Sequence, residues 1–566
     1  MGKLERKLDW DKPKLIDPYH PALPWINLGI IILATVSVIM IAFGLIIADS
    51  SVQGSLGIGD QKNLWFNISF FLILATVVPI ANWCAERFGD KTIFFIGATF
   101  FFLPIFFSAF TTNYWVMMSF RTLYALGAGT IFPTTLTLID RLFSPNRKSL
   151  AVAIYIAVAF GAGTALGTSI GGFTAEILSW KAIFLIAASP APLVLPSVWL
   201  LFQERQRAHR KRLDLFGVVL YLILITSLVT GLASLKQPWT TQGARSPWII
   251  CCALFFILAL YGFIRRELTS SKPLIDIRLF TIAPFAIGNL AVFVVATTFP
   301  STITYLSEIF ERQLGYSKYQ IGLFQVPFGL YIGICGSISG LLTKFIGIRI
   351  PAILGIGLVT ISCFTQHTVT IQSDPGQYSL IQALRGIGIG FSLGPFTALA
   401  LKKIRPEKIG QAAVIVTLFR QFGVALGSII VMLVRSIRFP FHLLRFGEQI
   451  DLHSAAVENH LSTIDTFLTD HAGSIAAIEP YSPHGPTEAA SVGGLTRLTE
   501  YAAAQARIIA VNDAYYLIGW VGSIVLIITL SSMLIATRKE KGAEARRISS
   551  PSIGSDTGSR KTASKR

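Results

Sequence analysis

Charge is what this 566-residue chain has least of. Only 14% of its residues are charged, against about 25% in an ordinary soluble domain. Acids are scarcer than bases, with 30 Asp and Glu against 48 Lys and Arg. A soluble globular fold is excluded by a mean hydropathy of +0.61. The net charge of +18 does not point to nucleic acid. The basic residues sit in short segments between apolar runs, where they set membrane orientation. Cysteine is also sparse. Cys84, Cys251, Cys252, Cys335 and Cys363 lie in or beside apolar runs without metal-type spacing, which excludes a disulfide framework and a cysteine metal centre. No nucleophile elbow, zinc-binding helix or phosphate loop is present. The chain is therefore not read as an enzyme, and no catalytic residue, metal or cofactor is assigned. The first apolar run is too long for the core of a cleavable signal peptide.

Long apolar runs fill the rest. Trp25–Ala48 contains no charge, and a helix of that length is about 36 Å, enough to cross a hydrocarbon core of about 30 Å. The hydropathy pattern predicts an all-α polytopic membrane protein with spans at 25–48, 64–84, 92–110, 114–139, 149–174, 182–202, 215–235, 247–264, 282–307, 320–342, 350–369, 376–401, 409–434 and 514–536. An even number puts both termini on one side. Placing them in the cytoplasm gathers most Lys and Arg inside, including those of 203–212, Arg265–Arg266, 402–408 and the tail from Arg538. The organisation expected is a cytoplasmic N-terminus (1–24), a six-helix bundle (25–202), an inserted helix pair with basic cytoplasmic loops (203–281), a second six-helix bundle (282–536) and a disordered basic cytoplasmic tail (537–566). An outer loop at 436–512 carries His442, His453, His460, His471 and His484, which lack the pairing of metal ligands. Its stretch Thr499–Val511 has amphipathic helical character.

The two bundles repeat one another. The turn after span 2 holds Asn82, Glu86, Arg87, Gly89, Asp90 and Lys91, then runs apolar to Gly97. The turn after span 10 holds Gly347 and Arg349, then runs to Gly355. Gly89 matches Gly347, Lys91 matches Arg349 and Gly97 matches Gly355 without a gap. Each half then has a span with one arginine, Arg121 and Arg385, followed by Gly-x-Gly and a proline. Each also has a glycine-rich span, from Phe160 and from Phe422. Two related bundles facing each other enclose a site near the midplane that rocking exposes to either side.

At these residues the chain resembles the major facilitator superfamily, and within it the fourteen-span drug:proton antiporters of the EmrB/QacA type. The resemblance implies export of lipophilic or cationic compounds against an inward proton flow. The turn 82–91 resembles the signature G-x-L-a-D-r-x-G-r-k, with Glu86 in the acidic place, Arg87 in the basic one and Asn82 in place of Gly. Glu86, Arg87, Asp90 and Lys91 can form an ion-pair latch between neighbouring helix ends. Arg121 matches the arginine of l-x-x-R-x-x-q-G, with Tyr124 for Gln and Ala125 for Gly. An arginine so placed in a span is a functional-site candidate, as are Arg385 and Arg420. Gly163, Gly167, Gly171 and Gly172 resemble g-x-x-x-G-P-x-x-G-G, with Thr168 for Pro. Glycines at that spacing let another helix approach backbone to backbone.

The family's first-span aspartate falls at Ile41 in an ungapped register from Trp65. The nearest acid is Asp49, at the outer end of that span. No other acid is expected inside a span, with Glu176, Glu308 and Asp513 just beyond span ends. Proton coupling therefore stays open, with Asp49 the first candidate and Glu308 the second. Two readings follow, a proton-coupled efflux carrier or an uptake or exchange carrier for a defined metabolite; fold alone does not choose between them. The expected partners are the lipid bilayer and a small-molecule substrate, with protons and a periplasmic adaptor left open and nucleic acid excluded. The only glycosylation-type triplet, at Asn67, falls inside span 2, which agrees with a bacterial cytoplasmic membrane.

Overall fold

The computed structural model describes residues 21–204, 214–235, 245–270, 273–312, 314–405, 408–449 and 486–549. Among the described residues there is no strand, and fourteen helices are long and apolar enough to cross a membrane. They are α1 (Leu23–Ile47), α2 (Trp65–Phe88), α3 (Asp90–Ser108), α4 (Tyr114–Leu142), α5 (Leu150–Leu178), α6 (Ala182–Leu201) and α7 (Leu215–Ser234). The second seven are α8 (Pro247–Thr269), α9 (Ala283–Arg312), α10 (Lys318–Thr343), α11 (Arg349–Thr368), α12 (Pro375–Leu401), α13 (Ile409–Glu448) and α14 (Thr499–Leu534). Successive helices reverse direction. The face on which α1 begins is called near, and the opposite face far.

Several boundaries differ from the hydropathy reading. The helix of α13 runs to Gln449 and the helix of α14 starts at Pro486. The segment expected as an outer loop, 436–512, is therefore helical at both ends. Arg435, Arg438 and Arg445 lower its hydropathy, but Ile437, Phe441 and Leu444 keep the helical spacing, and Pro440 is accommodated within the helix. His453, His460, His471 and His484 lie outside the described residues. The last helix continues to Ser549, past the point where a disordered tail was expected. A short helix, Asp49–Leu56, caps the far end of α1.

Burial ranks the helices. The apolar window of α1 is 83% buried, while those of α7 and α8 are only 28% and 11% buried. Helix α1 is thus central, and the α7–α8 pair lies at the periphery with its apolar surface turned outward. The Tyr221 hydroxyl of α7 donates to the Ala75 carbonyl of α2 at 3.0 Å, which fastens the pair to the bundle.

The repeated glycines repeat their geometry. Gly89 and Gly347 both have positive φ, +102° and +78°, a conformation that disfavours any side chain. They turn the chain sharply from α2 into α3 and from α10 into α11. A Cβ on Gly127 of α4 would stand 2.6 Å from the Gly97 carbonyl of α3. A Cβ on Gly388 of α12 would stand 2.9 Å from the Gly355 carbonyl of α11. Likewise Gly163, Gly167 and Gly171 of α5 lie against Ile39, Met40 and Gly44 of α1, as Gly423 and Gly427 of α13 lie against Phe293 and Thr297 of α9. Backbones approach this closely only without side chains, which is how membrane helices gain dispersion contacts.

The two sets of helices meet along α5 and α10. Gly172 faces Gly322 near the far end, Ala165 faces Gly329, Gly161 faces Gly333, and Ala153 faces Gly340 near the other end. Gly172 thus belongs to this second contact and not to the α1 stripe. Helices α2 and α13 pack on each other as well.

Candidate functional site

Three clusters of polar groups lie among the apolar helices. The first is in the far half. Asp49 accepts hydrogen bonds from Asn63 Nδ2 at 2.7 Å and Asn67 Nδ2 at 2.6 Å, so both carboxylate oxygens are held. Asp49 lies beyond the end of α1. Burial raises its carboxyl above the usual range, the bonds from Asn67 and Asn63 and the charge of Arg312 oppose this, and Glu308 adds to the rise. Arg121 of α4 is 2% exposed. Its guanidinium lies 3.9 Å from the Phe66 ring centroid, donates to the Tyr124 hydroxyl at 2.7 Å and feels the charge of Asp49. The structure therefore brings Arg121, Tyr124 and Asp49 into one neighbourhood.

Around them the two halves touch through charges. Ser50 donates to Glu311 at 2.6 Å, and Lys318 donates to Ser51 at 2.5 Å. The Lys318 backbone N–H donates to Glu176 at 3.2 Å. Glu308 lies inside α9, not beyond it as expected, and pairs with Arg435 of α13 at 2.5 Å. Asp513 likewise lies inside α14, where Arg438 and His442 contact it at 2.5 and 2.7 Å.

The second cluster surrounds Arg385 of α12. This arginine is 1% exposed. It donates to Ser362 Oγ at 3.2 Å, to the Ser362 carbonyl at 3.2 Å and to Thr302 Oγ1 at 2.8 Å, under the face of Tyr515 at 4.3 Å. Arg385, Thr302 and Tyr515 line a small cleft within the second bundle together with Gln382 and Tyr378. Arg385 is thus satisfied inside its own bundle.

The third cluster crosses between the halves. Arg420 of α13 faces the Phe160 ring of α5 at 4.9 Å and the Phe132 ring of α4 at 5.9 Å. Phe43 of α1 also meets Phe299 of α9 across the halves, edge to face at 4.7 Å. Phe160 lies in a π-helical stretch, Ala157–Ala162; such bulges recur at functional sites. The sequence singled out Arg420 but not its aromatic partners, because Phe is too abundant in this chain to be a signal.

The turn between α2 and α3 is at the near face. Asp90 pairs with Arg141 at the end of α4. Lys91 donates to the Trp199 carbonyl at 2.7 Å, Arg87 stacks on Trp83 at 5.3 Å, and Glu204 accepts from Thr92 at 2.9 and 2.8 Å. The expected latch among Glu86, Arg87, Asp90 and Lys91 is thus redirected, with Asp90 carrying an ion pair to a neighbouring helix. Trp83, Arg141 and Trp199 belong to the first six helices, and Glu204 follows the sixth. Arg349 begins the helix after the matching turn.

One buried acid escaped the sequence reading. Glu267 of α8 is fully buried, accepts from the Ile275 N–H at 3.2 Å and leaves its other oxygen without a partner. The adjacent Arg265 and Arg266 made this stretch read as a loop. Arg266 instead forms a two-point bridge to Asp214, at 2.9 and 3.2 Å, and the helix continues through Thr269.

Residues 27–428 match the family model described as Major Facilitator Superfamily. The chain is a member of the major facilitator superfamily. Among its relatives, the methyl viologen resistance protein SmvA of Salmonella typhimurium is 29% identical over 418 residues, 73% of this chain and 83% of that protein. The multidrug export protein EmrB of Escherichia coli is 23% identical over 413 residues, 72% and 79% of the two chains. The solved structure of the proton:xylose symporter XylE shares the fold, with a TM-score of 0.55 at 12% identity, over 91% of this chain and 96% of that one. The superfamily membership and the fourteen helices make this an integral membrane transporter.

Proposed function

We propose that this member of the superfamily is a secondary transporter that exports lipophilic or cationic small molecules in exchange for inward protons. The observation that carries the reading is the buried carboxylate of Asp49, held by two amides within the field of Arg121. The names of SmvA and EmrB support the export direction. In this reading 25–202 and 282–536 act as two bodies, the near face is cytoplasmic in a bacterial membrane, and α7–α8 ride on the first body.

Each part has a physical role. Desolvation favours the neutral form of Asp49 and so moves its titration toward the pH of the medium. Asn63 and Asn67 bond its oxygens and hold the group in place when its charge changes. Protonation from the far face removes the negative charge that balances Arg121 and Arg312, and weakens the attraction that holds this cluster together. Glu311 and Lys318 close the far face against Ser50 and Ser51. Loss of balance in this cluster would release that closure, which is the conformational step an antiporter requires.

The sign for pH is set by the raised value. Asp49 stays protonated at a higher pH than an ordinary carboxyl and ionises as the pH rises further. Protein in vesicles with an outward proton gradient (acid inside) should accumulate a lipophilic ion against its own gradient, and Asp49→Asn should make the flux indifferent to the pH gradient. Flux that already ignores the gradient in the unaltered protein would end the proton reading. Movement of substrate only down its own gradient would favour the uptake or exchange carrier.

A further inference from the structure

Arg420 differs from Arg121 and Arg385 in making no hydrogen bond to an oxygen among the described residues. It is 5% exposed, and its Nε and Nη2 have no hydrogen-bond partner. No acid forms an ion pair with it among the described residues. Arg121 has the Tyr124 hydroxyl and the field of Asp49; Arg385 has three bonds to oxygen. A desolvated guanidinium with open donors is stable only when something supplies acceptors or opposite charge. The rings of Phe160 and Phe132 attract the cation but cannot accept its N–H bonds in place of oxygen.

The position matters as much as the vacancy. Arg420 lies eleven residues into α13 from Ile409, about 16 Å from the near face, close to the middle of a hydrocarbon core of about 30 Å. Phe160 and Phe132 each lie ten residues from the near ends of α5 and α4, at about the same depth. Phe132 and Thr135 share a face of α4. The hydroxyls of Thr135 and Tyr155 are buried there without partners of good geometry, and Tyr155 lies in the field of Arg420. The buried donors and the aromatic walls therefore come from α4, α5 and α13, on both sides of the interface that alternating access must open.

We infer that the substrate seat of this transporter is built for a lipophilic anion, with an aromatic carboxylate, sulfonate or phenolate docking its oxygens on Arg420 beside the packed pair of Phe132 and Phe160, whose ring centroids stand 6.2 Å apart. The inference rests on the export reading and narrows its substrate class. Nε and Nη2 lie on one edge of the guanidinium and match two oxygens of a planar acid. The rings take the apolar body, and the Tyr155 and Thr135 hydroxyls lie within the same polar patch. A cation entering the seat meets the guanidinium charge with no carboxylate beside it. The competing role for Arg420 is a clasp that holds the halves together through its two rings, with no part in substrate choice.

Direct binding to the full-length protein in nanodiscs separates these roles, with salicylate as the anionic probe and tetraphenylphosphonium as the cationic one. Arg420→Gln should weaken salicylate binding at least tenfold and leave tetraphenylphosphonium binding unchanged or tighter. Arg420→Lys, which keeps the charge but loses the two-point edge, should weaken salicylate only a few-fold and still disfavour the cation. The lysine variant carries the test if the glutamine variant does not insert. Equal loss for both probes would make Arg420 a clasp and overturn the inference, as would unaltered salicylate binding. Flux in vesicles tests the underlying export reading separately. Cation export independent of Arg420 would end the inference and keep export, whereas Arg420-dependent salicylate binding without gradient-driven flux of either probe would end export and keep the seat.

Discussion

Gly329→Ala tests the interface on which the proposed rocking depends. A Cβ at Gly329 would stand 2.6 Å from the Ala165 backbone nitrogen and 2.9 Å from both its Cα and Cβ. None of these atoms is the end of a flexible side chain, so no rotamer change relieves the overlap. Bringing the closest contact to an ordinary 3.4 Å requires about 3.4 − 2.6 = 0.8 Å of separation between α5 and α10 at this level. Overpacking of this kind costs about 1–3 kcal/mol. The cost falls on the state in which the two helices are pressed together and is relieved in any state where they part. The equilibrium between the two should therefore shift by about 5- to 150-fold away from the packed state.

The shift is measurable as a distance distribution. Spin labels at Ser55 and Ser379, on the far-face ends of opposite halves, should show a larger population of long distances in Gly329→Ala than in the unaltered protein. Gly357→Ala is the control, since a Cβ there meets nothing within 4 Å; it should leave the distribution unchanged and gain up to about 1 kcal/mol of helix propensity. If Gly329→Ala and Gly357→Ala give the same distribution, the α5–α10 contact does not govern the conformational balance, and the rocking argument built on it fails.

Two further outcomes follow from other residues. Arg121→Ala should abolish transport while leaving membrane insertion intact, and normal flux would reduce Arg121 to an interfacial anchor. Gly89→Ala should cost about 1–3 kcal/mol in thermal unfolding of the purified protein, since φ is +102° and a Cβ would also collide with the Glu204 carboxylate. Gly347→Ala, also at positive φ but with open space around it, should cost less, toward the lower end of about 1–3 kcal/mol; a reversed order would mean that the Glu204 contact is not a constraint.

Fourteen helices were legible because an uncharged run long enough to cross a bilayer has few other uses. The repeat was legible because glycine is demanded where backbones meet, as at Gly97 and Gly355, and such positions keep their spacing. Helix ends were less legible. Charged residues lower hydropathy without breaking a helix, so α13 continued through Arg435 and Arg438, and Glu267 was taken for a loop residue beside Arg266. Side-chain pairing was least legible, because it depends on which helices become neighbours. Asp90 sits beside Glu86 and Arg87 in sequence but pairs with Arg141, and Asp49 acquires its two amides from the next helix.

The same point applies to the three arginines, which the sequence presents as equals inside apolar spans. Their partners divide them by the motion each can survive. Arg385 bonds Thr302 and Ser362, both within the second bundle, so rigid rotation of that bundle leaves every bond intact. Arg121 has its hydroxyl partner three residues away on its own helix, and Asp49 and Phe66 belong to the same first bundle. Its environment changes when Asp49 gains or loses a proton, without any need for rotation. Arg420 alone faces rings on the other bundle, so rotation necessarily uncovers it. A guanidinium uncovered at the midplane with unspent donors is then the strongest attraction on the open pathway. In the proposed reading, charge at Arg385 serves stability, charge at Arg121 reports the proton, and charge at Arg420 meets the cargo.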